Sequence, residues 1–146
     1  MADNSRDDVA QALAAAKVRA IRTALLHLHK TLIDAERIRY GRAHDRPIEG
    51  PHHALQLVLR DPWFAWLRPI AEMIVQADER LSDDRAVTPG EAEAYAAQAL
   101  ELLQQDLGGE DFRREYHRSL QELPDAVVAH AQVVKLAGKP DSPRQT

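Results

Sequence analysis

The sequence predicts an all-α, single-domain helical bundle of about five to six helices. Three observations predict it. Apolar side chains recur at spacings of three and four along most of the chain, the period of a helix face. β-branched residues never alternate with polar ones over a useful length, so strand signals are missing. Caps and stops divide the periodic stretches into segments joined by mostly short connections, as in a bundle. The chain has 146 residues, the size of one ordinary domain. A chain of that length buries roughly two-thirds of its unfolded surface and needs no metal or disulfide to hold it. Residues 1–140 are expected to form the bundle, and 141–146 a disordered tail.

The first helix is expected over residues 8–40. Ala14, Val18, Ile21, Leu25, Leu28, Leu32 and Ala35 form a heptad-like seam along it. Gly41 supplies a stop, and "GRAHDRPIEGP" (41–51) reads as a loop. A short helix follows over residues 52–60.

"RDPWFAWLRPIAE" comes next and holds three of the chain's seven aromatic residues within four positions. Asp61 is a good N-cap, and Pro62 sits at the first helical position, where its missing N–H costs nothing. Pro69 interrupts about two turns later and is expected to push Arg68 away from helical geometry. The segment 61–69 is therefore a bent, proline-kinked piece carrying Trp63, Phe64, Trp66 and Leu67. The faces of a bent segment diverge, and large rigid side chains fill the gap. We expect an aromatic plug that pins the bend onto the first helix. The competing reading is a lid over a ligand pocket.

The third helix is expected over residues 69–81, with Ile70, Met73, Ile74, Ala77 and Leu81 facing inward. Glu72 and Glu79 lie on its opposite, solvated face. "TPGE" (88–91) reads as a capping box, with Thr88 as cap and Glu91 reaching back. The fourth helix runs from there to Leu107 and stops at Gly108-Gly109. The fifth covers 110–123 with Phe112, Tyr116 and Leu120 on one stripe. The sixth starts near Pro124 and carries Val127, Ala131 and Val134.

Composition excludes several classes. The chain has no cysteine, which removes disulfides, thiolate metal sites and thiol nucleophiles. Residues 1–69 carry 11 basic and 8 acidic side chains, whereas residues 70–125 carry 5 and 14. Basic and acidic helices are expected to neutralise one another across the bundle. The net charge of −4 and the lack of a recognition motif argue against nucleic acid. The opening "MADNSRDDVAQALAAAKV" is acidic where a secretory leader is basic. No stretch approaches the ~20 apolar residues of a membrane span. A cytoplasmic location is expected, and no cofactor.

The candidate site lies on the first helix. With Leu25 at zero and ~100° per residue, the apolar residues from Val18 to Ala35 cover an arc from about 280° to about 100°. His29, Glu36 and Tyr40 fall inside that arc, whereas Lys30 and Asp34 form an ordinary outward pair. A carboxylate in an apolar face needs a partner. His29, Arg22, Arg68 and His130 are the expected ones for Glu36. His29 and Glu36 are about 10.5 Å apart along the axis, so each needs its partner from another helix. The candidate set is therefore His29, Glu36, Tyr40, Trp66, Arg68 and His130. It is either a register-fixing network or a ligand site. Histidine and carboxylate are ligand types for iron, manganese or zinc, and His29 and Glu36 are the nearest to a metal pair. The paired Glu-x-x-His motifs of a di-iron bundle are missing. No serine sits in a catalytic motif, so no catalytic residue is assigned.

"LHLHKTLIDAERIRYGR" followed by "LQLVLRDPWFAWLRPIAEMIVQADE" resembles an uncharacterised family of small bacterial helical proteins. The likeness rests on His29-Lys30, Leu32-Ile33-Asp34, Glu36-Arg37, Tyr40, Asp61-Pro62 and Phe64 to Pro69. It covers residues 25–81, with an echo in "YHRSLQELPDAVVAHA". No activity attaches to that family, so the resemblance implies only a natural bacterial domain of helical type. The functional expectation is a non-enzymatic binding or interaction module that self-associates or takes a protein partner. The first turns of the first helix, up to about Val18, are the expected contact. The alternative is a small-ligand or metal-binding bundle.

Overall fold

The computed structural model describes residues 2–104 and 108–138, with side chains from residue 4 onward. The expected tail and the end of the fourth helix at Leu107 lie outside the described residues. Six α-helices and one 3₁₀ segment make an all-helical bundle, and there is no strand among the described residues.

Helix α1 (Ala2–Ala43) has 42 residues and spans about 63 Å at 1.5 Å per residue. Its buried row is Ala14, Val18, Ile21, Leu25, Leu28 and Leu32, closing on Glu36. Ala35 is only half-buried, because the row advances by four rather than three after Leu32. Helix α1 also runs through Gly41, where a stop was expected. The chain turns later, at Asp45, in the left-handed region at φ 51°. The Arg46 N–H then returns to the Gly41 carbonyl at 2.9 Å. A Cβ on residue 41 would lie 3.2 Å from the Arg46 carbonyl oxygen. Glycine thus makes room for the returning loop rather than ending the helix.

Helix α2 (Gly50–Arg60) leads into the 3₁₀ segment Pro62–Leu67. The Asp61 carboxylate accepts the Trp63 N–H at 2.9 Å and so caps the segment as expected. Phe64, Trp66 and Leu67 are buried, and Trp63 is half-buried. Arg68 corrects the sequence reading. It sits at φ −56°, ψ −40°, in helical geometry, and opens α3 (Arg68–Ser82). The tight 3₁₀ turns supply the bend, so the residue before Pro69 need not leave the helical region.

Ile70, Met73, Ile74 and Ala77 of α3 are buried, and Leu81 packs at their edge. Arg80 clasps the loop to α4 (Pro89–Gln104), donating to the Arg85 carbonyl at 3.0 Å and the Ala86 carbonyl at 2.8 Å. It also forks onto Glu91. Thr88 and Glu91 make the expected capping box, with reciprocal bonds of 3.1 Å. Arg80 first, then the Thr88 N–H, holds the Glu91 carboxyl well below its ordinary range, at about 2. In the core, the Tyr95 hydroxyl donates to the Met73 carbonyl at 2.8 Å.

Helices α5 (Glu110–Glu122) and α6 (Pro124–Ala137) close the bundle. Phe112, Tyr116 and Ser119 face inward from α5. On α6 the buried stripe is Ala126, Ala129, Val133 and Ala137, not Val127, Ala131 and Val134. Helix α6 is apolar nearly all round, so its period did not select a face. Its close packing on α1 does, by turning the small alanines inward and leaving Val127 and Val128 exposed. Charge neutralisation across helices appears as Lys17–Glu93 and Arg22–Asp78, each at 2.8 Å.

Gly108 precedes α5, where a Cβ would lie 2.8 Å from Cγ and 2.9 Å from Cβ of the buried Phe112. Gly108→Ala should therefore cost about 1–3 kcal/mol. Urea denaturation checks this; an unchanged midpoint would contradict the packing described.

Candidate functional site

Glu36 is 2% exposed and lies on α1 four residues beyond Leu32, at the end of the apolar row. Arg39, one turn on, donates to both of its carboxylate oxygens at 2.8 and 3.1 Å. Arg118 of α5 donates to the first of those oxygens at 2.6 Å. Arg118 also bonds Glu115 at 3.1 Å and Glu122 at 3.0 Å along its own helix. Arg114 approaches Glu115 at 3.5 Å. Three carboxylates and three guanidiniums thus alternate between α1 and α5. Breaking a charge-assisted set of this kind costs more than its net contribution, because the surviving groups lose their partners.

The expected partners of Glu36 were His29, Arg22, Arg68 and His130, and none of them reaches it. Arg22 is drawn to Asp78. Arg68 is exposed, on the rim of a shallow surface cleft with Glu72 and Val75. His130 pairs with the Tyr116 hydroxyl at 2.7 Å. His29 is half-buried, and burial lowers its pKa. Arg39 was legible: it lies three residues from Glu36 and within the inward arc. Arg118 was not, because its meeting with Glu36 depends on where α5 is laid.

Tyr40 donates to the Asp61 carboxylate at 3.3 Å and stacks on His44 at 3.9 Å. Trp63 and Phe64 each pack on it at 5.7 Å, and the Arg39 guanidinium lies 5.2 Å from the Trp63 ring centre. Trp66 packs on Phe112 at 6.1 Å, and Phe112 stacks on Tyr116 at 5.1 Å. The aromatic segment is a plug, as expected, with one end on α1 and the other on α5. Neither buried indole N–H has an acceptor among the described residues.

The six expected residues therefore do not converge on one point. Tyr40 and Trp66 belong to the plug, His130 to a pair with Tyr116, Glu36 to the ion network, Arg68 to the surface, and His29 stands half-buried on α1 apart from them. Among the described residues no three His, Asp or Glu side chains are grouped closely enough to hold a metal ion. Both oxygens of Glu36 already accept from arginine, so it is not free to ligate one.

A cleft of about 700 Å³ lies instead at the end of α1 against the loop after it. Arg37, Ile38, Arg42, Arg46 and Ile48 are among its lining residues. A second, about 560 Å³, is an apolar groove between α1 and α6. Ala16, Ala20, Thr23 and Ala24, with Arg19 and His27 beside them, form its α1 side, and Gln132 and Leu136 its α6 side.

That groove continues a feature absent from the sequence reading. Val9, Leu13, Ala16, Ala20 and Thr23 advance by four and three, as the buried row does. This second row lies about a third of a turn round the helix from the first. Val9 is 58% and Leu13 66% exposed. The first buried side chain of α1 is Ala14. The start of α1 therefore projects beyond the bundle, carrying two large aliphatic side chains on one face.

No family model, curated protein or solved structure matches the chain.

Two outcomes follow from the polar groups. Glu36→Ala leaves Arg39 and Arg118 facing each other without their acid. It should lower stability by about 1–3 kcal/mol, whereas Lys30→Ala, at an exposed pair, should change it by less than about 1 kcal/mol. Chemical denaturation of both variants checks the contrast.

The second outcome concerns pH. Burial lowers the pKa of both His29 and His130 from 6.5. The unfolded chain therefore binds these protons more readily. The stability tied to the neutral rings is intact above 6.5 and is lost as pH falls from there through their folded values. The urea midpoint should fall as pH is lowered below 6.5, and the double variant His29→Gln/His130→Gln should flatten that fall.

Proposed function

We propose that the protein is a non-enzymatic interaction module that works by self-association through the N-terminal half of α1. One observation carries the reading: an aliphatic face on a helix that outruns its own bundle. Contiguous exposed apolar side chains on one face are the kind of patch that marks a contact surface. Pairing two copies removes Val9 and Leu13 of each from water.

The interaction reading is favoured over a small-ligand or metal site by the state of Glu36, whose oxygens are already occupied by arginine. No helix among the described residues is long and apolar enough to cross a membrane, which agrees with a partner met in water. The likeness to uncharacterised bacterial helical proteins adds no activity to this reading.

Sedimentation velocity tests it. The chain should sediment as a dimer at micromolar concentration. The double variant Val9→Glu/Leu13→Glu should sediment as a monomer while its urea midpoint stays close to wild type, since both positions are exposed. A wild-type monomer up to several hundred micromolar would overturn the proposal.

A further inference from the structure

We infer that the partner is a second copy of this chain, packed antiparallel along the Val9–Thr23 face of α1. The inference rests on the self-association reading and adds its geometry. A twofold contact uses the same patch on both copies, so the patch must complement itself. This one does so in only one direction. Its large side chains, Val9 and Leu13, sit at the projecting end, and its small ones, Ala16, Ala20 and Thr23, line the groove. A parallel pair would set large against large and leave the groove unfilled. An antiparallel pair lays Leu13 of each copy over Ala16 of the other, and Val9 over Ala20. The projecting turns then lie in the partner's α1–α6 groove, beside Leu136.

Charge favours the same direction. Asp8 and Arg19 are exposed on one flank of the face, and neither has an ion-pair partner among the described residues. In a twofold antiparallel pair the same flanks meet. Asp8 of one copy then comes within about two residues' rise of Arg19 of the other, within reach of an arginine side chain. In a parallel pair opposite flanks meet, so Asp8 and Arg19 of the two copies would lie on different sides of the contact and could not pair. The alternative occupant, the chain after Gly138, reads "KPDSPRQT". Apart from two prolines it holds no aliphatic or aromatic side chain to cover Val9 and Leu13.

The absence of cysteine makes the test direct. Single variants Ala16→Cys, Arg6→Cys and Thr23→Cys are treated with a short bis-maleimide under conditions where the chain is dimeric. Ala16 lies near the twofold axis, so Ala16→Cys should cross-link to itself. Thr23 and its symmetry mate are about 25 Å apart along the axis, so Thr23→Cys alone should not cross-link. An equimolar mixture of Arg6→Cys and Thr23→Cys should give the mixed product. Self-cross-linking of Thr23→Cys as efficient as that of Ala16→Cys would establish parallel pairing. That would overturn this inference and leave self-association standing. A dimer in which none of the three variants cross-links places the contact elsewhere and overturns the inference too. A monomer by sedimentation removes both.

Discussion

The buried row of α1 is the constraint on which the rest of the fold depends. Helices α3, α4 and α6 and the 3₁₀ segment all pack directly against α1. From Ala14 to Leu32 the row offers each of them an aliphatic surface that must leave water. The row determines more than adhesion. Its advance by fours and threes keeps the stripe on one side for about five turns, so three short helices can share one long one. Where the row ends, the chemistry changes. The next inward position is Glu36, which cannot be buried without a counter-charge.

That change locates α5. Helix α5 packs on α6 and on the 3₁₀ segment, and the shortest polar link between α5 and α1 is the Arg118–Glu36 pair. An aliphatic residue at position 36 would accept almost any apolar face. A carboxylate accepts one that delivers a guanidinium at the right height. Such pairs contribute little net stability compared with apolar packing, and their best-attested use is to fix register. The aromatic plug acts at the same junction. Trp66 reaches Phe112 while Tyr40 holds Trp63 and Phe64, so α5 is located by one polar and one apolar contact.

Local rules were legible where a feature is determined within a turn or two. The Thr88–Glu91 box, the Asp61 cap, the outward Lys30–Asp34 pair and the inward row from Ala14 to Leu32 all depend on neighbours in sequence. The burial of Glu36 was legible for the same reason. Its partner Arg118 was not, because 82 positions separate the two and only the placement of α5 joins them. The inward face of α6 was hidden for a different reason. In "PDAVVAHAQVVKLA" alanine and valine occupy every face, and the choice is made by how closely α1 must approach. Arg68 was misplaced because the rule for a residue before proline was applied without allowing for a 3₁₀ turn ahead of it.

The projecting start of α1 poses a separate physical question. A helix of about a dozen residues is marginal in water when isolated. Here it avoids nucleation by growing from a segment already held by the bundle. Asp7 and Asp8, towards its N-terminal end, carry the sign of charge that a helix dipole favours there. Those effects account for a helix that persists outward, but not for the character of its surface. Solubility alone would put polar residues on every side of a free rod. Instead Val9 and Leu13 fall in line with the alanines of a groove further along, and the large members lie at the end that reaches outward. A row graded from large to small along one helix is matched by the same row reversed. The proposed antiparallel pairing would account for the gradient, since a second copy would supply a partner that runs the other way from the same sequence.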